Sequence, residues 1–207
     1  MIAAAERLIA ERGIAALTLK DVQLAANQSN KSAAQYHFGS REGLLTAVLD
    51  NRMEPVNRRR QEILDNWVEH GVNPTARQAV EAMVGPLAAE TVGRNDSHYA
   101  RFLMQVISDP ALTDIVEAGM QAESLRRIRT LLIGHTSVEP ATAKLRVGSL
   151  MSFVLVTLAR FEGQRRSAEA TAGLVADLVE VCLAILSAPD AAAAESVSPT
   201  DREGVSS

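Results

Sequence analysis

Three times within its first forty residues this chain starts a helix and stops it: at Gly13, at the run Asn-Gln-Ser-Asn of positions 27–30, and at Gly39-Ser40. Ile2, Ala5, Leu8 and Ile9 recur at helical spacing and Gly13 closes the run, so a first helix is expected over 2–12. Thr18 then serves as N-cap of a short second helix that ends near Ala26, with Val22 and Ala25 turned inward. Asn and Ser side chains at 27–30 bond nearby backbone in competition with helix, which marks a turn. A third helix is expected over 31–37. Gly39 ends it, and Ser40 caps a long fourth helix running to about Val68.

Two short helices joined by a tight polar turn and braced by a third form the helix-turn-helix arrangement, whose second member enters the DNA major groove. The third helix carries Asn30, Lys31, Ser32 and Gln35 outward. Asn and Gln suit adenine bidentately, and Lys suits guanine. Its inner face, Ala33 and Ala34, is small enough to sit close against the first helix. Phe38 is expected to anchor it, contributing roughly 1.5–3 kcal/mol on burial. Tyr36 and His37 then point outward as donors. Arg41 and the free backbone N–H groups after Ser40 make a second spot that attracts phosphate.

Composition narrows the alternatives. With 47% hydrophobic and 22% charged residues, the 207-residue chain has the profile of a soluble globular protein. A single cysteine, Cys182, rules out an internal disulfide framework or a cysteine zinc cage, and with no basic, apolar leader at the start the expected location is the cytoplasm. The longest apolar run, from Leu150, falls short of the roughly 20 residues of a membrane span, so no membrane association is expected. The net charge is −4, yet positions 1–60 hold nine Lys or Arg against six Asp or Glu. A basic N-terminal end on an acidic body suits a head that meets a polyanion, although Arg58, Arg59 and Arg60 alone supply the excess.

Beyond the fourth helix, a new one starts at Thr75 after Pro74, and Gly85-Pro86 is expected to kink or break it. "SHYARFLMQVI" reads as a short helix, and Asp109 with Pro110 as the start of another. Two last helices, 140–163 and 168–187, are apolar nearly all round. A helix apolar on every face must be buried on every face, which implies a second copy and a twofold four-helix interface. Leu150, Val154, Leu158, Leu178, Cys182 and Ile185 are its expected contacts. Residues 188–207 are too poor in bulky apolar groups to order themselves. Trp67, Met83, Phe102, Met104, Met120 and Phe153 either line an apolar pocket for a small molecule or simply fill the core.

No metal or cofactor is expected, since His70, His98 and His135 lack metal-ligand spacing. No nucleophile with a base, paired carboxylates or phosphate loop is evident, which argues against an enzyme. A helical protein-interaction adaptor is the other reading, but it leaves the basic end and the Tyr36-His37 donors unexplained.

"AAERLIAERGIAALTLKDVQLAA" followed by "YHFGSREGLLTAVLD" resembles the DNA-binding domain of the TetR family of bacterial transcriptional regulators. The resemblance implies an all-α protein: a helix-turn-helix head (1–47) joined by a long helix to a ligand-binding and dimerisation body (48–187). It implies a homodimer on a palindromic double-stranded DNA operator, acting as a repressor that a small molecule releases. Thr18 then matches the hydroxyl that caps the second helix and touches phosphate. His37 matches the histidine before the phenylalanine, and Arg41 the basic residue after the cap. Two positions depart from the pattern: Gln35 stands where the family has tyrosine, with Tyr36 beside it. The turn "NQSNK" is more polar than Gly-Val-Ser and one residue longer.

Overall fold

The computed structural model describes residues 1–15, 17–27 and 33–190, and among them every regular element is helical. The order is α1 (Ile2–Arg12), α2 (Leu19–Ala25), α3 (Ala33–Phe38), α4 (Arg41–Glu69), α5 (Ala76–Glu90), α6 (Tyr99–Ser108), a 3-10 turn (Pro110–Leu112), α7 (Thr113–Gly119), α8 (Glu123–Gly134), α9 (Pro140–Phe161) and α10 (Ala168–Ser187). The turn at 28–32 and the tail at 191–207 lie outside the described residues.

Side-chain caps set most of these starts. Thr18 and Asp21 form a capping box at α2, Ser40 accepts from the Gly43 N–H at α4, and Thr75 and Gln78 form a second capping box at α5. Each satisfies N–H groups that the first helical turn leaves unpaired. At Gly13 the chain leaves α1 with φ of 81°, a left-handed value that glycine tolerates.

The structure departs from the sequence reading in the body. α5 runs unbroken through Pro86, because Ala79, Val80, Ala82, Met83 and Val84 are buried where it packs against α4, α8 and α10. Burial of that face outweighs the roughly 3 kcal/mol that an interior proline costs. Pro55 is carried inside α4 in the same way. Asp109 does cap, but the cap opens the 3-10 turn; α7 begins at Thr113. α8, which no sequence signal announces, starts without a side-chain cap and buries Leu125, Ile128 and Leu132.

α1 packs against α4 and α6, and α9 against α6, α8 and α10, so one apolar core runs from the head into the body. In α9 and α10 the helix lengths are as expected but the faces are reversed. Leu150, Val154, Leu158, Leu178 and Cys182 are buried inside this chain's own core, and Ile185 packs partly against it. The first five are therefore covered by their own chain. Burial raises the Cys182 thiol to about 11, consistent with a packing residue. The outward face of α9 carries Leu145, Phe153 and Val156, with Leu145 70% exposed. By length and composition both helices would also suffice to cross a membrane, contrary to the estimate from the apolar run. Their inner faces belong to the common core, and the rest of each apolar window is left bare.

Candidate nucleic-acid interface and ligand cavity

The segment from Tyr36 to Leu45 is built around one corner. Gln35 Nε2 donates to the Gly39 carbonyl at 2.5 Å, closing the end of α3. Gly39 turns the chain with φ of 68°, and the Ser40 hydroxyl accepts from Gly43 at 3.0 Å. A Cβ on Gly43 would run into the Phe38 carbonyl oxygen, so glycine is required there by the closeness of α3's last residue to α4's first turn. The corner holds α3 against α2 and α4 rather than chiefly against α1. Its pin is Ala34, fully buried, while Phe38 is only half-buried and packs at the edge of the core. Tyr36 is 86% exposed and meets His37 edge to face at 5.5 Å, so these two do project from the head.

Other predicted contacts are already engaged. Asn30, Lys31 and Ser32 lie outside the described residues. The Gln35 amide nitrogen is held by Gly39, leaving its oxygen as the free end. Arg41 is half-buried, and its Nη2 donates to the Ile14 carbonyl at 2.6 Å, bracing the loop between α1 and α2. The Thr18 hydroxyl donates to Asp21 Oδ2 at 2.5 Å and accepts from the Asp21 N–H, so its role in the structure is the cap. Nor does the arginine run form a basic face: Arg60 is buried, Arg58 pairs with Glu54 and Arg59 with Glu62.

Head and body meet at a polar junction that the sequence did not reveal, because its members lie far apart along the chain. Glu6 of α1 accepts from the His98 N–H at 3.0 Å and pairs with Arg52 of α4 at 3.0 Å. Arg52 also donates to the Glu90 carbonyl and the Ser97 hydroxyl, and its guanidinium lies 5.1 Å from the Tyr99 ring centre. Glu162, at the end of α9, accepts from the Ala100 and Arg101 N–H groups and from the Ser97 hydroxyl, capping α6. Burial raises the Glu6 carboxyl above its ordinary range, with Arg52 and the His98 N–H opposing.

Further into the body a cavity of about 930 Å³ opens between α4, α6, α7, α8 and α9. Of the six expected pocket residues it brings together Met104 and Met120. Met83 and Phe102 are buried in the core, Trp67 packs partly against it, and Phe153 points outward. Phe153 is not among the lining residues, although its α9 neighbours Ser152 and Val156 are. Among the described residues no group of three His, Cys, Asp or Glu side chains is placed to hold a metal ion.

Residues 1–48 match the family model for bacterial regulatory proteins of the tetR family. Over nearly its whole length the chain is similar to a solved TetR-family transcriptional regulator, PfmR from Thermus thermophilus. The TM-score is 0.61 at 17% identity, covering 91% of this chain and 98% of that one. It is also similar to a protein from Mesorhizobium loti assigned to the TetR-family transcriptional regulators, with a TM-score of 0.53 at 16% identity over 89% and 93% of the two chains. No curated protein sequence matches it.

Proposed function

We propose that this chain, with a TetR-family N-terminal domain on a TetR-like fold, is a homodimeric transcriptional repressor that a small molecule releases from a palindromic operator. The observation that carries the reading is the reach of α4. Leu44, Leu45 and Val48 of that helix pack in the head's core, and Leu49, Met53 and Asn57 of the same helix line the cavity. α6 repeats the connection: its first residues adjoin the Glu6–Arg52 junction, and Leu103, Met104 and Ile107 face the cavity. A ligand that shifts either helix moves the head with it.

In this reading α3 enters the major groove, with Tyr36 and His37 on the flanking phosphates and the Gln35 oxygen toward a base edge. Thr18 and Arg41 adjoin the backbone only as far as their structural bonds allow. The second copy covers the bare side of α9 and α10, through Leu145 and Phe153. Only 33% and 22% of the apolar windows of these helices are buried within one chain. The protein acts in the cytoplasm, with no cofactor and no enzymatic step.

The test is selection of bound fragments from random double-stranded DNA by the purified full chain. A selected consensus with twofold symmetry, its half-sites about one helical turn apart, supports the reading. A consensus without symmetry, or no enrichment, overturns it.

A further inference from the structure

The chemistry of the cavity's occupant follows from its walls, and the inference rests on the reading of that cavity as the effector site. Four of the chain's six methionines, Met53, Met104, Met120 and Met151, line it, and no aromatic side chain among the described residues does. Such a wall adapts to a flexible aliphatic shape. It provides neither a stacking face for a planar ring nor an aromatic cage for a quaternary amine.

Behind the wall, at Asn57, lies a buried cation that does not itself line the cavity. Arg60, 3% exposed on α4, makes no ion pair among the described residues. Its guanidinium donates to Asn57 Oδ1 at 3.3 Å and to the Met83 carbonyl at 3.2 Å, and its Nε has no partner. Burial lowers its pKa to about 10, the mark of a cation held without a countercharge. Asn57 Oδ1 also accepts from the Ser124 hydroxyl, so the Asn57 amide has only N–H groups left for the cavity it lines. On the wall itself Arg129 of α8 is half-buried, with an enclosed Nε that finds no acceptor and no ion pair among the described residues.

The remaining charges on the wall are otherwise placed. Glu54 is paired with Arg58, and Glu123 with Arg126. Asp50 is exposed at the rim, seven residues and about 10 Å along α4 from Asn57. The wall therefore presents the Asn57 amide and the Arg129 guanidinium, unpaired among the described residues, as donors beside methionine and aliphatic carbon.

We propose that the cavity binds an aliphatic carboxylate, its chain along the methionine wall and its head group at Asn57 and Arg129. A carboxylate accepts from both donors and supplies the countercharge that Arg129 lacks among the described residues.

The experiment is calorimetric titration of the full chain with dodecanoate, dodecanol and dodecylammonium. Dodecanoate is expected to bind about tenfold more tightly than either analogue. Arg129→Gln is expected to bring dodecanoate affinity down to about that of dodecanol, removing most of that preference. A second readout needs no variant: dodecanoate affinity for the wild-type chain falls when acid protonates the ligand, and dodecanol affinity does not. Equal affinity for acid and alcohol, preference for the ammonium, or no binding of any of the three overturns the proposal. DNA affinity is measured alongside. A carboxylate that binds without loosening DNA contradicts ligand release and leaves this assignment standing.

Discussion

Glu6 of α1 and Arg52 of α4 form a 3.0 Å ion pair where the head meets the body, and both side chains are largely shielded from solvent. The pair is the centre of a network that includes Glu90, Ser97 and the backbone of His98. Arg52→Ala removes one partner and strands a buried carboxylate. A loss of about 3–5 kcal/mol is expected, since breaking a buried pair costs more than the pair is worth. Urea denaturation of the variant checks this; a loss within the range of an exposed salt bridge would show that the pair is not effectively buried.

The Glu6 carboxyl titrates above its ordinary 4.5 because burial disfavours its charge. Between 4.5 and the raised value the folded chain holds a proton that the unfolded chain has lost. The residue's contribution to stability is therefore greatest below 4.5 and falls as pH rises through that window. Asp21 and Glu42 act oppositely. The Thr18 hydroxyl and N–H hold Asp21 low, and backbone and Ser40 hydrogen bonds hold Glu42 low, so their contributions are lost as pH falls through their depressed values. Glu6→Gln should flatten the upper window alone, as read from the midpoint of unfolding against pH. A variant with the wild-type slope there refutes the assignment.

Gly39 and Gly43 are glycines for different reasons. At Gly39 a side chain meets open space but a strained left-handed backbone, so Gly39→Ala should cost about 1–2 kcal/mol. At Gly43 a Cβ strikes the Phe38 carbonyl, and α3 or α4 must shift to admit it. Gly43→Ala should therefore misplace α3 and weaken DNA binding beyond what its stability loss explains. Binding and thermal melts measured together separate the two variants; equal effects in both assays would contradict the distinction.

On α9, Leu150 and Phe153 are about one helical turn apart with opposite environments: Leu150 is buried in its own chain and Phe153 faces outward. Leu150→Ala should lower stability by about 2–5 kcal/mol. Phe153→Glu should leave each chain folded while sedimentation equilibrium shows monomers. Unchanged association of the Phe153 variant would place the interface elsewhere.

Much of this architecture is legible in the sequence because helix starts are written locally. Thr18, Ser40 and Thr75 mark theirs with a side chain that bonds the next turn, and Gly13 and Gly39 mark stops. α8 follows Ala122 with no such signal, which is why the sequence does not announce it. Periodicity locates the apolar stripes of α9 and α10 but not which stripe the chain covers itself, so it turns Leu150, Val154 and Leu158 outward when they face in. Arg41 shows the same limit for the head. Its charge suggests phosphate, and only the fold brings the Ile14 carbonyl, 27 residues away, within 2.6 Å. The junction of Glu6, Arg52, Ser97 and Glu162 joins four separate stretches of chain and has no local signature.

Whether the chain is a dimeric operator-binding regulator is decided by fluorescence anisotropy with the DNA immediately upstream of its own gene and with a scrambled sequence of equal length. Both are titrated with the full chain across a range of salt concentrations. A regulator of its own gene binds the native fragment with two chains per site, and binds the scramble at least about a thousandfold more weakly, roughly the lower bound for specific recognition. Its log–log salt slope is about one unit per phosphate contact. Absence of binding to either DNA at low salt would contradict this and leave the helical adaptor as the better reading.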